Sequence, residues 1–215
     1  MNRLALFDCD GTLVDSQHNI CMCMEDAFTR ASLIAPRRND IRRVVGLSLF
    51  QAVQMLIPDE SEARIAQVAE DYKNAFHSLR GKGLVDEPLF DGIAACLDAL
   101  EADGWLLGVA TGKSDRGLAL CLQHHGIWER FITLQTADRH PSKPHPSMIH
   151  QAMADAGASP ETTVMIGDTS FDMAMGVAAG ARSLGVDWGY HEPHELIAAG
   201  AYDVVSHADL ILAAL

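Results

Sequence analysis

The chain is 215 residues long, 48% hydrophobic and 21% charged, with 16 basic and 29 acidic residues and a net charge of −13. That length buries a sizeable core in one domain, or in one domain with a modest insertion. So acidic a chain is repelled by nucleic acid and by anionic membranes, and neither is an expected partner; a local cluster of cations or a metal can still hold a small anionic substrate.

Residues 3–8 read as a short buried strand that ends in two carboxylates, Asp8 and Asp10, and breaks at Gly11-Thr12. Three helical segments follow, at residues 17–33, 49–57 and 61–79. In the last, Ile65, Val68, Ala69, Tyr72 and Phe76 recur at three- and four-residue steps and form one apolar stripe. Asp59 or Ser61 offers its N-cap, and Gly81 with Gly83 its stop. No strand pattern occurs between about residues 16 and 85.

Helices and strands then alternate. Helices at 91–104, 115–126, 147–157, 171–180 and 194–200 precede apolar strands at 105–111, 130–136, 162–168, 182–188 and 203–205. Apolar strands separated by helices imply a parallel sheet covered on both faces. The expected fold is therefore α/β, a doubly wound parallel sheet with a Rossmann-like core (residues 1–15 and 86–215). A small all-helical domain (residues 16–85) is inserted after the first strand.

The five cysteines are odd in number and lack zinc-type double pairing, which reads as free thiols in a reducing compartment. Cys21 and Cys23 stand two apart on a helix, where side chains diverge, and read as packing. The first residues carry no apolar stretch of signal-peptide length and no run approaches a membrane span, so a cytoplasmic protein is expected.

In an open parallel sheet, functional groups collect at the carboxyl ends of the strands. Those ends carry Asp8, Asp10, Gly11 and Thr12; then Thr111, Gly112 and Lys113; then Lys143 in the loop after the third strand; and finally Asp168 and Asp172. Four carboxylates in a partly dry cleft do not all stay ionised alone. A hard divalent cation removes the conflict, and Mg2+ prefers oxygen ligands. Thr111, Lys143 and exposed backbone N–H groups suit a group with several anionic oxygens. Together these are the equipment of phosphoryl transfer, in which positioning and charge neutralisation supply most of the rate.

"DCDGTLVDS", "ATGKS", "SKPHPSM" and "GDTSFD" resemble, in order, the four motifs of the haloacid dehalogenase-like hydrolases, in their phosphatase branch. The helical insertion lies where that family carries a helical cap. "GLSLFQAV" and "GVDWGYHEPHELIAAGAYDVV" are further similar to the phosphoglycolate-phosphatase-like subgroup. The resemblance implies a Mg2+-dependent phosphomonoester hydrolase for a small phosphorylated metabolite such as 2-phosphoglycolate. Asp8 would be the nucleophile that becomes an aspartyl phosphate, and Asp10 the general acid and base. Thr111, Gly112 and Lys143 would bind the phosphoryl group, with Thr12 orienting Asp10 or its loop. Asp8, Asp168, the main-chain carbonyl of Asp10 and Asp172, directly or through water, would hold the metal. The family often has Asn where this chain has Gly112, a departure that removes a side-chain amide and keeps the backbone N–H.

Other readings are weighed beside these. A phosphosugar mutase, a pyrophosphatase or a nucleotidase of the same superfamily would share the core. A dehalogenase has no use for Asp10, Asp168 and Asp172, a receiver-like signalling domain carries no cap after its first strand, and a non-catalytic scaffold would have lost Asp8 or Asp10. Lys113 is expected as a solvated charge, "HEPHE" (residues 191–195) as a surface loop, His124 and His125 as helix-end cations, and His145 as a further candidate beside Lys143. Arg37, Arg38, Arg42 and Arg43 read individually as solvated helix faces, with Arg42 or Arg43 the candidates to meet an anionic leaving group.

Overall fold

The computed structural model describes residues 2–215. Among them six strands form one sheet: β1 (Asn2–Phe7), β2 (Trp105–Thr111), β3 (Phe131–Thr136), β4 (Ala158–Gly167), β5 (Arg182–Val186) and β6 (Asp203–Val205). Their order is β3-β2-β1-β4-β5-β6, and every pairing is parallel. The helices, in chain order, are α1 (Gln17–Arg30), α2 (Arg38–Arg42), α3 (Leu49–Leu56), α4 (Glu62–Gly81), α5 (Ile93–Ala102), α6 (Asp115–His124), α7 (Ser147–Ala156), α8 (Ser170–Ala178), α9 (Pro193–Ala198) and α10 (Ile211–Ala214).

Strand β1 lies in the middle of the sheet and is buried on both faces, so its apolar run shows no polar alternation. Its side chains still alternate between two cores. Ala5, Phe7 and Cys9 pack with residues of α5, α6 and α10, while Leu4 and Leu6 pack with residues of α7 and α8. Phe7 pairs with Val109 of β2 on one side and with Ile166 of β4 on the other. The carboxyl ends of these three strands therefore emerge at one level. Beside β1 the strand order reverses, which opens a crevice at that level.

Helices α1 to α4 form a block with its own apolar centre. Ile20, Met24 and Phe28 of α1, Ile41 of α2, Val53 of α3 and Ile65, Val68 and Ala69 of α4 meet there. Tyr72 and Phe76 complete the stripe expected on α4, and the Ser61 hydroxyl caps that helix by accepting from the Arg64 N–H at 3.3 Å. The chain leaves β1 for this block and returns to α5 through two segments that run side by side. The Asp15 N–H donates to the Pro88 carbonyl at 2.8 Å, and the Phe90 N–H to the Leu13 carbonyl at 3.0 Å.

Strand β4 begins at Ala158, earlier than the apolar run predicts, because its first five residues extend along the sheet half-covered or exposed. The turns of 3-10 helix at Trp128–Arg130 and Ala208–Leu210, and the single turn of α10, are too short to show a periodicity.

Candidate active site

Asp8 follows directly on β1 and is fully buried. One oxygen, Oδ1, accepts from the Cys9 N–H at 2.6 Å and from Lys143 Nζ at 2.9 Å. The other, Oδ2, has no hydrogen-bond partner among the described residues. Its neighbours differ in this respect. Asp168, at the end of β4, accepts from the Thr12 hydroxyl at 2.6 Å on Oδ1 and from the Tyr190 N–H at 2.9 Å on Oδ2. Asp172, in the first turn of α8, accepts from Lys143 Nζ at 2.7 Å on Oδ1 and from the Thr169 N–H and hydroxyl on Oδ2, at 3.0 and 2.7 Å. Thr169 returns a bond to the Asp172 N–H, so the capping box that starts α8 also fixes the carboxylate. One oxygen each from Asp8, Asp168 and Asp172 lie within 4.8 Å of one another.

The Asp8 carboxyl is raised to about 7, by burial first and by Asp172 as well, against the pull of Lys143 in the other direction. Asp168 is raised well above the carboxylate range by burial first, then by Asp172 and Asp8. Burial alone would strip Lys143 of its proton, but Asp172 and Asp8 hold its ammonium above the ordinary lysine value. The three carboxylates share one cation, and they remain short of positive charge.

Asp10 turns the other way. Its side chain lies outside the group of three acids, and its Oδ1 accepts from the Ser16 hydroxyl at 2.5 Å and from Lys113 Nζ. Lys113 is thus no solvated charge. Its side chain is 10% exposed and bonds to Asp10 and, at 2.9 Å, to Glu87 Oε1. Glu87 lies in the return segment from the helical block and is held further by Arg80 at 3.3 Å. Thr12 bonds to Asp168 and not to Asp10, because the turn at Gly11 carries it across the crevice. Gly11 has a φ of 87°, and a Cβ there would collide with the Asp168 carboxylate and the Tyr190 ring. The Thr111 hydroxyl is buried and accepts from the Lys113 N–H at 3.2 Å.

His191 is buried, which corrects the surface-loop expectation at that residue, while Glu192, Pro193 and His194 are exposed as expected. Its Nδ1 accepts from the Ser170 N–H at 3.0 Å, so the ring proton sits on Nε2 and faces the Arg43 carbonyl at 3.3 Å. Burial and then Arg43 lower its pKa and favour this neutral form. Arg43 itself clasps Glu195 of α9 with two 2.6 Å bonds, joining the helical block to the core. Arg42 has a buried Nε without a partner. His125 bonds to the Glu87 carbonyl at 2.8 Å, which gives it a partner beyond its own helix end, and His145 is exposed and accepts from the Ser147 N–H at 3.2 Å. The Arg43 side chain is 47% exposed, so Arg43→Ala is expected to cost only about 0.5 to 1 kcal/mol. A small drop in the urea midpoint at unchanged slope is the readout. A drop beyond about 2 kcal/mol would show that the clasp is more than a screened surface pair.

Ser16, Glu87, Tyr190 and His191 are the residues of the site that sequence reasoning missed. Only "DWGY", through its resemblance to the subgroup, could have drawn attention to Tyr190. Among the described residues no helix is long and apolar enough to cross a membrane.

The family model for haloacid dehalogenase-like hydrolases matches residues 5–186. The chain is 36% identical over 205 residues to a "Probable phosphatase IndB" of Dickeya dadantii, covering 93% of this chain and 87% of that one. It is 32% identical over 195 residues to a phosphoglycolate phosphatase of Xylella fastidiosa, covering 90% and 83%. A crystal structure of a "predicted phosphatase from Clostridium acetobutylicum" has a TM-score of 0.88 at 25% identity, covering 100% of both chains.

Proposed function

The chain belongs to the haloacid dehalogenase-like hydrolase family and is a phosphatase of it, and from there we propose that it hydrolyses a small phosphomonoester, of the 2-phosphoglycolate type, through an aspartyl phosphate on Asp8. The observation that carries this reading is the unpartnered Oδ2 of Asp8 in a site where both oxygens of Asp168 and of Asp172 are bonded. A buried carboxylate oxygen without a donor is costly as structure and useful as a nucleophile.

Asp8 Oδ2 attacks phosphorus as the bond from phosphorus to the leaving oxygen breaks. Lys143, held on Oδ1, keeps the carboxylate turned and draws negative charge from the phosphoryl oxygens. Thr111 and the Gly112 N–H bind those oxygens from the end of β2. Asp10, oriented by Ser16 and Lys113, gives its proton to the leaving oxygen, then takes one from the water that attacks phosphorus and frees Asp8. The helical block acts as a cap whose closure keeps bulk water from the aspartyl phosphate.

The donor set fits a hard divalent cation: three buried carboxylates share one lysine and remain short of positive charge. Asp8, Asp168, Asp172 and the main-chain carbonyl of Asp10 would hold Mg2+, which when bound neutralises phosphoryl charge. A consequence follows for stability. The Asp8 carboxyl at about 7 lies above its ordinary value of 3.8, so the metal-free folded state binds the extra proton and loses stability as pH rises through that window. Asp168 acts in the same direction. At a fixed Mg2+ concentration the stabilisation is therefore expected to grow between about pH 5 and pH 8, reaching about 2.7 kcal/mol where that concentration is a hundredfold above Kd. A gain that is equal at both ends of that range would remove these carboxylates as the ligands.

The test of the function is phosphate release from a panel of phosphoglycolate, sugar phosphates, nucleotides and pyrophosphate. Release from a small monoester, lost with a chelator and regained with Mg2+, is the expected result. Release from none of them sinks the reading, and sole release from pyrophosphate reassigns the substrate.

A further inference from the structure

We infer that Gly112 sets the size of the leaving group, because only a residue without a side chain lets the cap come down onto the end of β2. The inference rests on the phosphatase reading for its substrate and on geometry alone for its steric part. A Cβ at position 112 would lie 2.5 Å from the Leu47 carbonyl oxygen and 2.7 Å from that of Gly46. Both are backbone atoms of the cap segment between α2 and α3, and real Cβ atoms essentially never come so near. Gly112 does not have a positive φ, so its own backbone conformation makes no demand for glycine. The demand comes from across the crevice.

The segment that meets Gly112 cannot simply lean away, because it is tied to the core on several sides. The Ser48 N–H donates to the Ser142 hydroxyl at 2.8 Å, next to Lys143. Val44, Leu47 and Ala52 pack against Phe171 of α8. Just upstream, Arg43 is clasped by Glu195 and its carbonyl faces His191. A methyl group at position 112 must therefore displace a backbone that has four attachments to the core, and the cap must stand off.

With Gly112 the carbonyls of Gly46 and Leu47 stand directly over the end of β2, next to Thr111 and Lys113. On this inference the close approach favours a small leaving group over a bulky one. A side chain at 112 raises the cap, which admits bulkier alcohols and loosens the fit around small ones.

The test compares Gly112→Ala with the unchanged chain on two esters, phosphoglycolate and p-nitrophenyl phosphate. The ratio of kcat/KM for the small ester over the aryl ester is expected to fall at least about tenfold, the scale on which pockets read single methylenes and ångström misplacements. An unchanged ratio, including equal losses on both esters, overturns the inference, since mere damage to the site lowers both together. A second readout needs no turnover: amide exchange at Ser48 should speed by about tenfold or more in Gly112→Ala while β1 stays protected. Unchanged exchange there overturns the steric claim even if the chain proves to hydrolyse neither ester, an outcome that would sink the phosphatase reading separately. If Gly112→Ala does not fold, Ser142→Ala frees the same segment and should lower the ratio in the same direction; no change in that variant counts against the inference.

Discussion

Asp8→Asn is expected to fold, to melt no lower than the unchanged chain when metal is absent, and to lose turnover by on the order of 10^4-fold or more. On the proposed mechanism, loss of the nucleophile accounts for the rate. The stability follows from the same geometry read without substrate. Asp8 is fully buried, and both burial and Asp172 disfavour its charge, so an uncharged amide relieves the metal-free site. Lys143 keeps its bond to Asp172 at 2.7 Å and is not left unpaired. Phosphate release and thermal unfolding on the same preparation check both halves. Residual turnover above about one per cent would place the nucleophile elsewhere.

Lys143→Met should fail in the opposite way. This lysine is wholly enclosed and lies 2.9 Å from Asp8 and 2.7 Å from Asp172, among the described residues the sole ammonium bonded to that pair. Methionine fills much of its volume but leaves the carboxylates facing each other. Removal of one partner from a buried ionic cluster costs about 3 to 5 kcal/mol, and on the proposed mechanism loss of a donor to the transferring phosphoryl group costs about 10^2 to 10^3 in kcat. Mg2+ should restore part of the melting temperature and little of the rate. A variant with both the stability and the kcat of the unchanged chain would show that Lys143 is a spectator.

The two variants also mark what can be read from residues alone. The ends of β1, β2 and β4 are legible because each apolar run is long enough to fix a strand and each stops at a chemically conspicuous residue: Asp8, Thr111, Asp168. The stripe on α4 is legible because five apolar residues keep helical phase. Lys113 is not legible, because its partner Asp10 is 103 positions away and its charge looks solvated until the return segment brings Glu87 over it. His191 looks solvated for a similar reason, as its neighbours are polar in sequence and only the packing of α8 and the cap encloses it. Thr12 lies two residues from Asp10, yet the turn at Gly11 sends it to Asp168, 156 positions on. Strand periods and motif order constrain where backbone ends meet; they do not constrain which side chain crosses to which.

The paired segments at Leu13–Asp15 and Pro88–Phe90 bear on how such a chain assembles. Phe7 and Val109 are partners in the sheet although the whole cap lies between them in sequence. Closing so long a loop in an unfolded chain would cost entropy that grows only slowly with length but is far from zero. Once α1 to α4 have gathered around their own apolar centre, the two ends of the block emerge hydrogen-bonded to each other at 2.8 and 3.0 Å. The remaining closure is then that of an ordinary strand-helix-strand crossover through α5. Seen from the folding chain, the central strand and its neighbour are one crossover helix apart, with a prefabricated helical block tied off beside it.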